Sequence, residues 1–222
     1  MLKTKITLNQ FFLFKFSRKI SLSSYLQNLD DELKKLIFVV GPAGTGKTML
    51  ACQKGIQEYK NGLVRKIVVT RPIVGADEDI GYLPGSLEEK MAPWTRPIFD
   101  YFYDFFTKQR VEKMIKNNEL EISPLMYMRG RTFKNSFIIA DEMQNSTVNQ
   151  MKMLLTRIGE GTRMVVTGDL EQNDLKVGVK SGMMDFIGRV ECENMISIIK
   201  LSKDDVKRSD IVKRVLELYE KK

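Results

Sequence analysis

Ile37–Gln53 reads IFVVGPAGTGKTMLACQ. Its apolar opening, Ile37 to Val40, ends in glycine, as a strand buried on both faces does. Its close returns to an apolar pattern at helical spacing. Between them stands Gly41-Pro42-Ala43-Gly44-Thr45-Gly46-Lys47-Thr48, the spacing G-x-x-x-x-G-K-T. Glycines at those places let successive backbone N–H groups turn inward around phosphate oxygens, and the start of the following helix adds a favourable dipole. The stretch therefore predicts a strand, a phosphate loop and a helix. Gly41 through Thr48 would hold ATP, Lys47 would reach the β- and γ-phosphates, and the Thr48 hydroxyl would be a ligand of Mg²⁺.

Similar short apolar runs recur outward from this stretch, at Lys66–Thr70, Phe137–Ala140, Arg163–Thr167 and Met195–Leu201. Helical patterns separate them. The clearest spans Thr147–Ile158, where Met151, Leu154, Leu155 and Ile158 share one face and Thr147-x-x-Gln150 has the spacing of a capping box. Strands alternating with helices predict an α/β fold with a parallel sheet covered on both faces. Residues 36–222 would form this domain, and residues 1–35 a basic N-terminal element with Lys3, Lys5, Lys15, Arg18 and Lys19 ahead of any acid. That element fits an ordered segment or a targeting peptide.

An irregular interval, about 73–133, interrupts the rhythm. It holds Pro84, Pro93, Pro97 and Pro124, the one tryptophan, and IFDYFYDFF at Ile98–Phe106. Asp100 and Asp104 stand four apart, so this aromatic stretch reads as a helix with one wet face whose rings pack the insertion against the sheet. A base-stacking platform is the alternative.

Composition removes several chemistries. The chain of 222 residues contains no histidine, so Ser-His triads and imidazole bases are excluded and acid–base work falls to Asp, Glu, Lys or water. Cys52 and Cys192 lack metal-type spacing and suggest a reduced, cytoplasmic setting. No apolar run approaches the roughly 20 residues needed to cross a bilayer, so no membrane partner is expected. A net charge of +8 points to a polyanionic partner.

The second part of a hydrolytic site is a carboxylate at the tip of a neighbouring strand. FIIADEMQ supplies Asp141 as the metal-holding group and Glu142 as general base for the attacking water. The run MVVTGDLEQ ends a further strand in Thr167-Gly168-Asp169, with Gln172 just beyond. A polar group at the tip of a strand between the other two can sense the γ-phosphate, which makes Gln144, Asp169 and Gln172 candidates. Together DEMQ and GDLEQ resemble the helicase motifs DExQ and GDxxQ.

With GPAGTGKT, VVTRP (Val68–Pro72), GYLPG and the following EK (Gly81–Lys90), YMRGRTF (Tyr127–Phe133), DEMQN, QMKMLLTRIG (Gln150–Gly159), VVTGD and DVKRSDIV (Asp205–Val212), the chain resembles the PhoH family. That resemblance runs from about Leu36 to the C-terminus. It implies a P-loop NTPase with a RecA-like sheet similar to the first lobe of superfamily-one helicases, ATP hydrolysis, and RNA as polymer. Carried over by position, Arg71, Arg129 and Arg131 would face nucleic acid, since a planar fork suits backbone phosphates. Arg129 and Arg131 could instead be structural partners of acids in the insertion. Asn9-Gln10 could serve as an adenine-reading element, though its surroundings match poorly.

After the strand ending near Leu201, about twenty residues remain, enough for one helix whose apolar face would be Ile211, Val212, Val215, Leu218 and Tyr219. That length leaves no second lobe, so the arginine that such a lobe lends to ATP hydrolysis would come from another subunit. Arg208 is the candidate, with Lys213 and Arg214 as rivals. The expected protein is a homo-oligomeric Mg²⁺-dependent ATPase acting on single-stranded RNA, with a hexameric ring as one form of the oligomer. The alternative is an ATP-dependent switch that engages a protein partner without moving along a polymer.

Overall fold

The computed structural model describes residues 20–73 and 87–206, together with residues 211, 214 and 218. Asn9-Gln10, most of the basic N-terminal element, GYLPG, Arg208 and Lys213 lie outside the described residues. The elements run α1 (Ile20–Asp30), β1 (Leu36–Val40), α2 (Lys47–Lys60), β2 (Lys66–Arg71), α3 (Leu87–Tyr103), α4 (Lys108–Lys116), β3 (Leu120–Pro124), β4 (Ser136–Ala140), α5 (Val148–Leu155), β5 (Arg163–Gly168), α6 (Gly182–Ile187) and β6 (Ile196–Lys200). Short 3-10 turns follow β3, β4 and β6, at Leu125–Met128, Met143–Asn145 and Lys203–Asp205.

All six strands are parallel, in the order β3-β2-β4-β5-β1-β6. Alternate residues of each central strand feed two separate cores. Ile37, Val39, Ile67, Val69, Phe137, Ile139 and Val165 join the core under α1 to α4, while Phe38, Val40, Val68, Ile138, Ala140, Met164 and Val166 join the one under α5 and α6. Burial on both faces is why these strands read as unbroken apolar runs. A fully buried ring such as Phe137 contributes roughly 1.5–3 kcal/mol relative to an exposed one.

Two elements differ from the sequence reading. The strand β3 lies inside the interval read as an insertion, yet it pairs with β2 from Leu120 beside Ile67 to Pro124 beside Arg71. The interval also includes α3, which continues through Pro93 and Pro97. A proline inside a helix forfeits an amide hydrogen bond, and the complete burial of Ile98 and Phe102 just beyond offsets that loss. Phe99, Tyr101 and Phe106 pack partly buried against the same core, and Asp100 and Asp104 are exposed, which is the packing role expected of the aromatic stretch.

Before residue 36, α1 is already part of the domain, with Leu22, Tyr25 and Leu29 buried in the first core. Helix α5 opens on the expected capping box, Thr147 accepting from the Gln150 amide and Gln150 accepting from that of Thr147. At the C-terminal end, Ile211 and Leu218 are 68% and 56% exposed, so these two members of the expected apolar face point outward. Val212, Val215 and Tyr219 lie outside the described residues.

Candidate nucleotide site

The C-terminal tips of β1, β4 and β5 lie side by side, with β5 in the middle. Val40 of β1 stands beside Gly168, and Ala140 of β4 beside Val166. That order brings GPAGTGKT, DEMQ and TGD, far apart in sequence, to one edge of the sheet.

The loop leaves β1 at Gly41, where a Cβ would sit 2.6 Å from the Leu201 carbonyl oxygen, so only glycine lets the chain turn there. Thr45 closes the loop by donating from its hydroxyl to the Pro42 carbonyl at 2.9 Å. Gly46, with φ 82°, provides the turn into α2. The Lys47 ammonium donates to the carbonyls of Gly41 at 2.5 Å and Pro42 at 2.8 Å. Burial pulls the Lys47 pKa below its ordinary value, while the charges of Asp169, Glu142 and Asp141 pull it back up. A buried ammonium held on two loop carbonyls and within the field of three carboxylates is placed to bind phosphate.

Asp141 is buried, and one of its oxygens, Oδ1, accepts from two hydroxyls, Thr48 at 2.7 Å and Thr167 at 2.6 Å. The first spans from the loop helix and the second from β5. Thr48 and Asp141 thus form a pair of hard oxygens, a donor set that suits Mg²⁺, since that ion keeps several waters and phosphate oxygens and takes few protein ligands. Bound there, the ion would neutralise phosphate charge.

Glu142 follows with φ 52° and ψ 37°, a left-handed conformation that is strained for glutamate. Glu142 lines a cavity of about 390 Å³ together with Gly44, Gly46, Lys47, Thr48 and Tyr101, among others. Its Oε2 accepts from the Gln144 amide nitrogen at 2.6 Å, and the Gln144 amide oxygen accepts from the Asp169 backbone N–H at 3.0 Å. Gln144 is therefore a bridge between the β4 and β5 tips. The close fit requires Gly168, where a Cβ would sit 2.7 Å from the Gln144 oxygen.

Lys47, Thr48, Asp141, Glu142, Gln144 and Asp169 are thus assembled at one place. Gln172 is not part of this assembly: it sits on an exposed turn whose N–H donates to the Asp169 carbonyl at 3.2 Å. Arg71 lies half-buried at the end of β2, and Arg129 is exposed beyond the turn after β3. Arg131 is held by both oxygens of Glu121 on β3 and lies over the Phe133 ring at 4.5 Å, the structural pairing that was one of its two readings. Arg214 is exposed.

Three further residues belong to the site without having been singled out. The Thr167 hydroxyl is on Asp141. The Tyr25 phenol of α1 donates to the Lys47 carbonyl at 3.0 Å, steadying the first turn of α2. Tyr101 of α3 lines the cavity. Thr167 was within reach of sequence reasoning, because it lies in TGD beside Asp169. Nothing in the sequence marks either tyrosine.

Loop, carboxylates and sheet order define a P-loop NTPase with a RecA-like fold. Residues 17–220 match the family described as PhoH-like protein, and the chain belongs to the PhoH family. It is 46% identical over 186 residues to a PhoH-like protein of Bacillus subtilis, a match covering 84% of this chain and 58% of that one. It is 43% identical over 190 residues to Protein PhoH of Escherichia coli K12, covering 85% of this chain and 54% of that one. Among solved structures, the Pif1 helicase of Candida albicans aligns with a TM-score of 0.44 and 17% identity over 90% of this chain and 43% of that one. The chain spans about half the length of the curated relatives it matches. The position of its last residue therefore says nothing about a further lobe, and the length argument for a shared site loses its ground. Among the described residues, no helix is long and apolar enough to cross a membrane.

Proposed function

We propose that the chain hydrolyses ATP with Mg²⁺ and couples turnover to binding or unwinding single-stranded RNA as a homo-oligomer. The observation that carries the hydrolytic part is the separation of the two adjacent carboxylates. Asp141 is committed to the Thr48 hydroxyl, while Glu142 lines the cavity and is held by Gln144. In this reading Glu142 takes the proton of the attacking water, Lys47 holds the β- and γ-phosphates, and Thr48 and Asp141 hold the metal. Gln144 and Asp169 then carry the loss of the γ-phosphate from one strand tip to the next. Gln172 would join them only after a rearrangement of its turn.

RNA is supported by the net charge of +8 and by Arg129 standing exposed, with Arg71 at the same edge of the sheet. Phosphate release measured with and without single-stranded RNA tests it. Stimulation that fades as salt rises is expected, because backbone contacts release counterions. Turnover indifferent to RNA and DNA would remove this coupling. The oligomer rests on basic residues beyond β6, with Arg208 proposed to complete a neighbour's site. A rate per subunit that stays constant from dilute to concentrated protein, with mass measured in ATP, would remove that part.

The second reading, an ATP-dependent switch engaging a protein partner, is favoured by one observation. Arg131, a candidate for nucleic-acid contact, is already engaged by both oxygens of Glu121.

A further inference from the structure

Three tyrosines pack against the first core, and they differ in what their hydroxyls do. Tyr25 donates to the Lys47 carbonyl, and Tyr59 donates to Glu119 at 2.5 Å. Tyr101 has its ring partly buried against the same core, yet among the described residues its hydroxyl has no hydrogen-bond partner. The hydroxyl is not among the buried polar atoms left without a partner, so it is open to water or to a ligand in the cavity. The side chain of Tyr101 lines the nucleotide cavity together with Lys47, Thr48 and Glu142. Those three are the groups placed around the terminal phosphate, its metal and the attacking water. Desolvation pushes the Tyr101 pKa up, and the negative charges of Asp141 and Asp100 push it the same way, so the phenol keeps its proton as a donor.

Its carrier is rigid where it matters. Ile98 and Phe102, on either side of Tyr101 in α3, are fully buried. Phe99 stacks on Tyr103 at 6.1 Å. Helix α3 also packs along α2, whose first turn carries Lys47 and Thr48. A phenol on such a frame presents its proton at a fixed place in the cavity without a large loss of side-chain freedom.

We propose that Tyr101 contacts the nucleotide, its phenol donating a hydrogen bond to an oxygen of the terminal phosphate of a bound nucleoside triphosphate. The aromatic helix α3 then reads whether the nucleotide has three phosphates or two. It differs in kind from the Gln144–Asp169 bridge, which lies on the strand tips, because it links the nucleotide to the interval between β2 and β3.

The inference rests on the proposal that this cavity holds ATP, and the test separates the two. Binding of AMP-PNP and of ADP, each with Mg²⁺, is measured by calorimetry for the wild type and for Tyr101→Phe, which keeps the ring and its packing. The expected result is a loss of about tenfold in AMP-PNP affinity, the value of one hydrogen bond to a charged oxygen, with ADP affinity unchanged. Thermal melting of Tyr101→Phe should match the wild type, because the ring alone fills the core. Equal affinities of Tyr101→Phe and wild type for both nucleotides would overturn the Tyr101 contact and leave the ATP site standing. An equal loss for AMP-PNP and ADP would overturn it too, by moving the contact to a part that both share. A wild type that binds neither nucleotide would overturn the site and the contact together.

Discussion

The two ends of β5 carry polar side chains of comparable burial and opposite character. At its first residue, Arg163 donates to Glu58 and to the carbonyls of Lys34, Leu29 and Asp31, closing the C-terminal end of α1. Its guanidinium is only 9% exposed and its partner Glu58 4%, with Lys54 reaching the same acid at 4.0 Å. At the other end, Thr167 and Asp169 are just as buried, but their network of Asp141, Gln144 and Glu142 stops at a cavity wall. A buried polar group whose partners are all internal holds a fold. One whose chain of partners ends at an opening has binding capacity left over. Burial alone does not separate them, and the direction in which the hydrogen bonds terminate does.

The largest effect should come from the open end. Glu142→Gln keeps shape and the bond to Gln144 while removing the base. Phosphate release is expected to fall ~10²–10⁴-fold, the usual contribution of a positioned acid or base, with melting temperature unchanged. Undiminished turnover would take Glu142 out of the chemistry. A large drop in melting temperature would mean that its role is structural, like that of Glu58.

At the closed end the pattern should invert. Arg163→Met strands Glu58 without its main partner, and removing one member of a buried pair costs about 3–5 kcal/mol. Unfolding in denaturant should register that loss, while phosphate release per folded molecule stays close to wild type. Burial already raises the Glu58 pKa against the pull of Arg163 and Lys54. With Arg163 gone, Glu58 rises further and takes up a proton, so the loss should shrink as pH falls from neutrality towards 5. A loss independent of pH would point to lost packing of the arginine stem instead of an unpaired acid.

How far these regions were legible follows from what each constrains. The phosphate loop shows in sequence because its geometry dictates glycine at fixed spacing, and the strand tips because apolar runs end abruptly in Asp141-Glu142 and Gly168-Asp169. Their adjacency, with β5 between β1 and β4, was expected from the sensing role and is present. Strand β3 did not show, since an edge strand needs only one apolar face. Leu120 and Ile122 face the first core while Glu121 points away to Lys66 and Arg131. Tyr101 was equally invisible, being one ring among many in IFDYFYDFF, where packing accounts for Ile98, Phe99, Phe102 and Phe106. Tyr25 acts through a backbone carbonyl, and a carbonyl leaves no trace in a sequence.

Tyr25 allows a smaller test, because it belongs to the core by its ring and to the site by its hydroxyl. Tyr25→Phe removes a buried bond to the Lys47 carbonyl and should cost about 1 kcal/mol of stability. If the bond also fixes the start of α2, ADP affinity should weaken by a few-fold as well. Lost stability with intact ADP affinity would assign the phenol to the fold alone.

A last test lies at the β3 edge, where Glu121 resembles the closed end of β5 in miniature. Burial raises its pKa, but hydrogen bonds from Arg131 and Lys66, and their charges, outweigh burial and bring it down to about 2 from 4.5. A depressed carboxylate contributes its stability in full above the ordinary value and loses it as pH falls through the folded one. Wild-type stability should therefore decline between pH 4.5 and 2 with a component that Glu121→Gln lacks. The substitution also frees Arg131, which bears on the two readings of that residue. If Arg131 is structural, RNA affinity should be unchanged in Glu121→Gln. If it is a nucleic-acid contact restrained by its acid, affinity should rise and depend more steeply on salt, because one more cation then meets the phosphate backbone.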